Sequence, residues 1–368
     1  MSQRIAILGT GLIGGSLGLA WRQRYDDCFV VGHDRPDVLD EAEARGAIDA
    51  KAADPATAVA EADLVVLATP LATALRLMEH IAPHLSAGTL VTDVASVKAP
   101  IVEQARDVLG PETPFIGGHP MAGSEEQGIG HATPILFENA AYVLCPLHAS
   151  DHGDLAQTHP TFLDLITATG ARPLLLDAQA HDQIAAAVSH LPQLLAVTLV
   201  NTVAEAQEDD AQTLQLAAGG FRDMTRIASS PFSMWRDVLI GNQGPILDLL
   251  SHFARRLQSI RNRLIEEDLD ALDTAFRSAQ ATRQDIPKDS KGFLQPLADV
   301  YVEANDQPGV LAKMTTALTD AGLNIKDIEL LKFREGTGGT FRLGFPNEAD
   351  ADAAVEVLDA IDFRAHRL

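Results

Sequence analysis

Short apolar runs alternate with stretches of helical periodicity through the first half of the chain, the pattern of a parallel α/β architecture. Residues 4–8 read as an apolar strand stopped by glycine, 14–25 as a helix and 29–33 as a second strand. Residues 63–69 (DLVVLAT) and 89–93 (TLVTD) read as buried strands, with a helix predicted over 73–80 between them. Residues 115–117, 141–145 and 173–176 predict further short strands, the last closing a first domain near residue 178. From Ala180 to Asp285 almost no strand-like run occurs. The segment 182–205 carries apolar residues at Ile184, Val188, Leu191, Leu194, Leu195, Val197 and Leu199, interrupted by Pro192. Residues 245–267 and 269–282 predict two more helices. A helical block with apolar positions on several faces needs a second copy to cover them, so a homodimer is expected.

A polar, proline-bounded stretch then separates a smaller unit. Its strands are predicted at 297–304, 324–333, 340–345 and 363–367 and its helices at 309–321 and 349–358, a βαββαβ order of ferredoxin-like type. The expected organisation is a Rossmann-type α/β domain over 1–178, an all-α domain over 179–286, a linker over 287–296 and an α+β domain over 297–368.

Composition narrows the partners. The formal charge of −23 repels a phosphate backbone and argues against nucleic acid. No apolar run reaches the ~18 residues of a membrane span, and the first apolar run lacks the basic flank of a signal peptide. Cys28 and Cys145 lie in unrelated segments without metal-ligand spacing, as inert thiols of a reducing cytoplasm would; no metal site is expected. Lys51, Lys98, Lys288, Lys291, Lys313, Lys326 and Lys332 are the only lysines, against 51 acidic residues. Ordinary solubility and adaptation to a salt-rich cytoplasm both account for this excess. Either way, an anionic substrate needs a local basic docking point.

The turn Gly9-Thr10-Gly11-Leu12-Ile13-Gly14 fits the G-x-G-x-x-G dinucleotide fingerprint, following a strand and opening a helix. Gly9 allows the tight turn, Gly11 lets backbone approach a pyrophosphate, and Gly14 permits close helix–strand packing. Asp34, at the end of the second strand, is placed to accept hydrogen bonds from an adenosine ribose and to repel a 2′-phosphate, which favours NAD over NADP. Arg35 beside it is the residue that could accept that phosphate. Thr69, Pro70 and Ser96, at or beyond the ends of later strands, complete the expected cofactor set.

Three clusters carry candidate chemistry. Asp93-Val94-Ala95-Ser96-Val97-Lys98 puts Ser96 and Lys98 beyond a strand's carboxyl end, beside a nicotinamide, unless Asp93 and Ser96 merely cap a helix at 99–109. His119, between two glycines and Pro120, is expected in a rigid loop and suits proton exchange with an alcohol. Arg222 and Arg226 are four apart, so one helix face presents both as a carboxylate clamp, with ion pairs to Asp223 or Asp237 as the bland alternative. His190 interrupts an apolar helix, where a satisfied core histidine is the default.

In this order, the glycine turn, D-x-x-S-V-K, G-G-H-P-M-A-G-S-E, S-H-L-P, G-G-F-R-D-x-T-R-I-A and M-W-R-D resemble the prephenate/arogenate dehydrogenases of tyrosine biosynthesis, over residues 5–283. The resemblance implies oxidation of the ring C4 hydroxyl of prephenate, with hydride passing to NAD while CO2 leaves and the ring aromatises to 4-hydroxyphenylpyruvate. It implies that His119 takes the hydroxyl proton, that Ser96 holds that hydroxyl or the histidine, and that Arg226, supported by Arg222, clamps a carboxylate. His190, Ser124 and Glu125 become pocket residues, and Trp235 approaches the partner subunit's pocket. Arogenate is not distinguished from prephenate by these residues. Hydroxyacid reductases of related architecture use a lysine in the helical domain, and no lysine occurs between Lys98 and Lys288. Residues 297–368 resemble an ACT domain through Asn305-Asp306-Gln307-Pro308-Gly309 and Gly322-Leu323-Asn324-Ile325. That implies a tyrosine effector at Asn305, Asp306, Pro308, Gly309, Asn324 and Ile325. A purely structural ACT module, or an amino-acid sensor with a vestigial dehydrogenase, remains the alternative.

Overall fold

The computed structural model describes residues 3–25, 27–122, 126–147, 155–209, 213–285, 297–334 and 338–367. Two compact units divide the chain, Met1–Thr274 and Ala275–Leu368.

The first unit is built on an eight-stranded sheet: β1 (Gln3–Leu8), β2 (Cys28–His33), β3 (Ala50–Lys51), β4 (Leu64–Leu67), β5 (Leu90–Asp93), β6 (Phe115–Pro120), β7 (Ala141–Pro146) and β8 (Arg172–Leu175). Their spatial order is β3-β2-β1-β4-β5-β6-β7-β8, and every pairing is parallel except β6 with β7. Successive side chains of β1 point to opposite faces, which is why Ile5 and Ile7 join one buried cluster while Ala6 and Leu8 join another. The first cluster packs on α1 (Leu12–Arg24) and α7 (Pro160–Ala168), tied by Trp21 Nε1 donating to the Leu165 carbonyl at 2.8 Å. The second packs on α4 (Leu71–Ile81) and α5 (Ala99–Val108). Chain order reverses at β1 and β4, so a crevice opens at their carboxyl ends.

Several elements exceed the sequence expectation. The helix α2 (Pro36–Ala44) and α7 each open on a proline, whose fixed φ suits a first helical turn but reads in sequence as a breaker. The two-residue β3, the five-residue α3 (Pro55–Val59) and the four-residue α6 (Leu155–Thr158) are too short for a periodic signal. The strand expected at 115–117 runs on to Pro120, because His119 and Pro120 pair with Val143 and Tyr142 of β7. His119 therefore sits on a strand, not in a loop.

The helical part begins with α8 (Ala178–Ala185), whose start is capped by Asp177 accepting from Gln179 N and Ala180 N. A π-helical turn, Ala186–His190, leads into α9 (Leu191–Asp209). The widened turn spans Val188, whose carbonyl Pro192 would meet in a regular helix, so the helix passes Pro192 without a break. Then come α10 (Gly219–Thr225), a 3₁₀ turn (Arg226–Ser229), α11 (Phe232–Gly241), α12 (Gln243–Ile265) and α13 (Leu269–Asp285), which crosses the division between the units. The stretch Ala178–Glu205 is apolar enough, by length and composition alone, to cross a membrane. Its polar residues, His190 and Gln193 among them, break any uninterrupted apolar run, which is why run length alone passes over it.

In the second unit, β9 (Ala298–Ala304), α14 (Val310–Asp320), β10 (Asp327–Arg334), β11 (Gly338–Phe345), α15 (Glu348–Asp359) and β12 (Arg364–His366) follow the expected βαββαβ order. They form an antiparallel sheet, β10-β11-β9-β12. Val300 and Val302 face Met314, Leu318, Ala354 and Leu358 in its core. The expected linker lies outside the described residues.

Candidate active site

The carboxyl ends of β1, β4, β5 and β6 open on one cleft of about 470 Å³. Leu12, Ile13, Thr69, Pro70, Ser96 and His119 line it from the sheet side, and Ser233, Met234, Asp237 and Val238 of α11 wall it opposite. Asp237 Oδ2 accepts the Ala72 backbone N–H of α4 at 3.1 Å, which fixes α11 over the sheet.

The glycine turn has the geometry its spacing implies. Gly9 has φ of 103°, and a Cβ there would lie 2.5 Å from the Ala68 carbonyl oxygen. A Cβ on Gly14 would lie 2.0 Å from the Gly9 oxygen, so α1 is seated directly on the turn, whereas one on Gly11 would meet nothing within 4 Å. That side is open to a ligand, and the first N–H groups of α1 begin beside it. Two buried hydroxyls, Thr10 Oγ1 and Thr69 Oγ1, have no partner among the described residues. Together with the bare Gly11 backbone they fit a polar dinucleotide. Asp34 accepts from Thr10 N at 2.8 Å and from Arg35 N at 2.7 Å, which holds its carboxylate against the turn. The Arg35 guanidinium is exposed, 3.8 Å from Asp37.

His119 is half-buried, with its ring at the cleft. Its Nδ1 meets His181 Nε2 at 2.8 Å, and His181 Nδ1 meets Asp182 Oδ1 at 2.7 Å. Burial first, then the Lys98 charge and the neighbouring His181 and His190, hold the His119 ring well below imidazole's ordinary 6.5. Lys98 does not reach the nicotinamide side as its spacing from Ser96 suggested. It is fully buried, paired with Asp93 and donating to the Gly118 carbonyl at 2.6 Å. Burial pushes the Asp93 carboxyl up, against the opposing pull of Lys98 and of the Ala95 and Gly118 N–H groups. Nor does Asp93 or Ser96 cap α5: Asp182, 84 residues from Lys98, accepts from Lys98 N and Ala99 N instead.

Other expected residues are not gathered here. Arg222 and Arg226 are exposed, on α10 and on the turn after it, and neither lines the cleft. The single helix face expected to present both ends at Thr225. His190 is buried, 3.1 Å from Asn242 Nδ2 and edge-on to Trp235, with ring centroids 5.9 Å apart. Burial lowers its pKa to about 4. Ser124 and Glu125 lie outside the described residues. Sequence reasoning passed over His181, Asp182, Asn242 and Glu126. A His-Asp pair near a helix start carries no distinguishing pattern, and only the fold brings it within reach of residue 119.

In the second unit, a cleft of about 600 Å³ is lined by Glu303, Asn305, Gln307, Lys313, Thr340 and Arg364, among others. Asn305 is the expected effector residue that lines it. Asp306, Pro308 and Gly309 form the exposed turn into α14, Gly309 at φ of 86°. Asn324 is exposed ahead of β10, and Ile325 packs against the core.

Comparison with known proteins accounts for this arrangement. The family described as prephenate dehydrogenase, nucleotide-binding domain, matches residues 17–172, the corresponding dimerization domain matches 177–278, and the ACT domain matches 298–363. The prephenate dehydrogenase of Bacillus subtilis (strain 168) is 34% identical over 98% of this chain and 96% of its own length. Among solved structures, Synechocystis arogenate dehydrogenase is 31% identical, with a TM-score of 0.67 over 77% of this chain and 99% of its own. The A. aeolicus prephenate dehydrogenase, solved with hydroxyphenyl propionate and NAD+, is 26% identical, with a TM-score of 0.70 over 78% and 99%.

Proposed function

This chain belongs to the prephenate dehydrogenase family and is an NAD-dependent dehydrogenase, and on that premise we infer how its residues divide the oxidative decarboxylation of prephenate to 4-hydroxyphenylpyruvate. The observation that carries the assignment is His119 at the cleft, with its ring held neutral well below 6.5. A neutral imidazole accepts the C4 hydroxyl proton as carbonyl character develops. Ser96, in the same cleft, orients that hydroxyl. NAD, when bound, supplies the acceptor for the C4 hydride. Aromatisation drives the loss of CO2, so the protein's task is to position substrate and take one proton.

Gly9, Gly11, Leu12, Ile13, Gly14, Thr69 and Pro70 hold the dinucleotide, Asp34 its ribose, and Arg35 stands at the edge of that site. Arg226, supported by Arg222, clamps a substrate carboxylate. Their position just ahead of α11, which walls the cleft, supports this, as does the need for a basic docking point in a chain of charge −23. His190, Trp235, Ser124 and Glu125 are assigned to the same pocket. The working division is 1–178, 179–286, 287–296 and 297–368, supported by the spans of the three family matches. A homodimer is supported by exposed Phe232, Ile240, Leu257 and Leu264 in the helical part, and a cytoplasmic setting by two free cysteines. Tyrosine is assigned to the 600 Å³ cleft, where Lys313 and Arg364 suit an amino-acid carboxylate.

Arogenate is the second reading, favoured by the likeness to the Synechocystis enzyme. NADH absorbance, followed with prephenate or arogenate against NAD or NADP, with and without tyrosine, separates these. Turnover with prephenate and NAD, lower turnover with NADP, and inhibition by tyrosine are expected. No NADH with either substrate overturns the assignment.

A further inference from the structure

The Nδ1 edge of His119 leads into a buried chain of acceptors. His181 and Asp182, each only 2% exposed, lie on α8 behind it. Asp182 Oδ1 accepts from Lys98 N at 2.7 Å and Oδ2 from Ala99 N at 2.8 Å, so this carboxylate closes the N-terminus of α5, where the helix dipole favours negative charge. Asn242 Nδ2 donates to the Asp182 carbonyl at 2.7 Å and pins the residue from the opposite side. An oxygen already receiving a backbone N–H here takes a hydrogen from His181 as well. In the neutral ring, that places the single His181 hydrogen on Nδ1 and leaves its Nε2 bare. A bare Nε2 can only accept, so the 2.8 Å contact with His119 requires a hydrogen on His119 Nδ1. The lone pair of His119 is then on Nε2, the ring nitrogen that His181 does not engage.

We propose that His181 and Asp182 are positioning residues that hold His119 in the tautomer whose Nε2 accepts the substrate's hydroxyl proton. The proposal rests on His119 being the base. It explains why one carboxylate serves both α5 and the histidine pair: the segment bearing Ser96 and the proton acceptor share an anchor. Free imidazole side chains favour hydrogen on Nε2, the tautomer that could donate to the hydroxyl but not accept from it. Without the relay, a smaller fraction of His119 is competent, while the cleft that binds substrate is unchanged.

Asp182 also caps a helix, so His181 is the informative position. In the full-length enzyme, His181→Leu should lower kcat on the order of 10²-fold. KM for prephenate and for NAD should stay within about threefold. His181→Gln, whose carbonyl can accept from His119 Nδ1, should restore most of the loss. Long-range ¹H–¹⁵N correlation on histidine-labelled protein should show His119 protonated at Nδ1 in the wild type and at Nε2 in His181→Leu. A folded His181→Leu enzyme with kcat within about threefold of wild type overturns the proposal. So does a wild-type spectrum with His119 protonated at Nε2, a readout independent of whether any variant folds. His119→Asn, assayed alongside, separates the two levels. If it leaves kcat intact, the base assignment itself fails; if it abolishes turnover while His181→Leu does not, the relay alone fails.

Discussion

Burial holds the His119 ring neutral, and its proposed role as the base therefore carries a definite pH dependence. The ring works where it is unprotonated, so activity is full above its pKa and is lost as pH falls through it. Because that pKa lies well below 6.5, kcat/KM should stay level through 6.5 and fall only on the acid side. An inflection at or above 6.5 would show that another group limits the reaction. His119→Asn should lower kcat by about 10² or more with little change in KM, and a loss within about threefold would end its acid–base role. Glycine and strand-end context singled out His119 and Ser96, and both line the cleft, while the roles proposed for them came from the family resemblance alone. Lys98 was misleading for the same reason: it is two residues from Ser96, yet its side chain turns inward to Asp93. The partners of His119 were not legible, since 62 residues separate it from His181 and no local pattern ties them. Arg222 and Arg226 read as one helix face, and the helix ends between them.

At the level of elements, β5 and β6 present Ser96 and His119 to the same cleft because a fully buried ion pair ties their ends together. Asp93 accepts from Gly118 N at 3.0 Å and pairs with Lys98, whose Nζ also donates to the Gly118 carbonyl. Lys98→Met removes the cation and leaves a carboxylate buried without it. The cost should be about 3–5 kcal/mol, read as a fall in melting temperature or in denaturant midpoint. Lys98→Met with Asp93→Asn should recover part of that loss, because the uncompensated charge is then gone. An unchanged midpoint in the single variant would mean the pair contributes nothing to holding β6. Short apolar runs made β1, β2 and β4 readable, the Leu90-Val91 pair did so for β5, and the 3.6-residue period did the same for α9 and α12. The end of β6 was not readable, because its last pairings depend on β7, a strand that begins 21 residues beyond Pro120. The π turn before α9 was equally hidden: Pro192 signals a break in sequence, and only the extra residue of the wider turn removes it.

For the whole molecule, the change from strand–helix alternation to uninterrupted helix, and then to βαββαβ, was visible in the hydrophobic pattern, because each architecture buries a different periodicity. What the pattern leaves open is how the helical surface is covered. On α12, Phe253, Leu257, Ile260 and Leu264 recur at helical spacing and are all exposed in the single chain. If a second copy covers this stripe, the solution mass should be twice 39.3 kDa, and Leu257→Glu combined with Leu264→Glu should halve it. Charge opposes that association, since each chain brings −23. Self-repulsion reaches about 30 Å at 0.01 M salt but only about 3 Å at 1 M, so added salt removes the opposition while the apolar contact remains. Melting temperature and dimer affinity should therefore rise together with salt. In the Leu257→Glu, Leu264→Glu variant the rise should be smaller, because only the repulsion within one chain is left to screen. A melting temperature unaffected by salt in both proteins would rule out salt adaptation and leave solubility as the reason for the acidic surface.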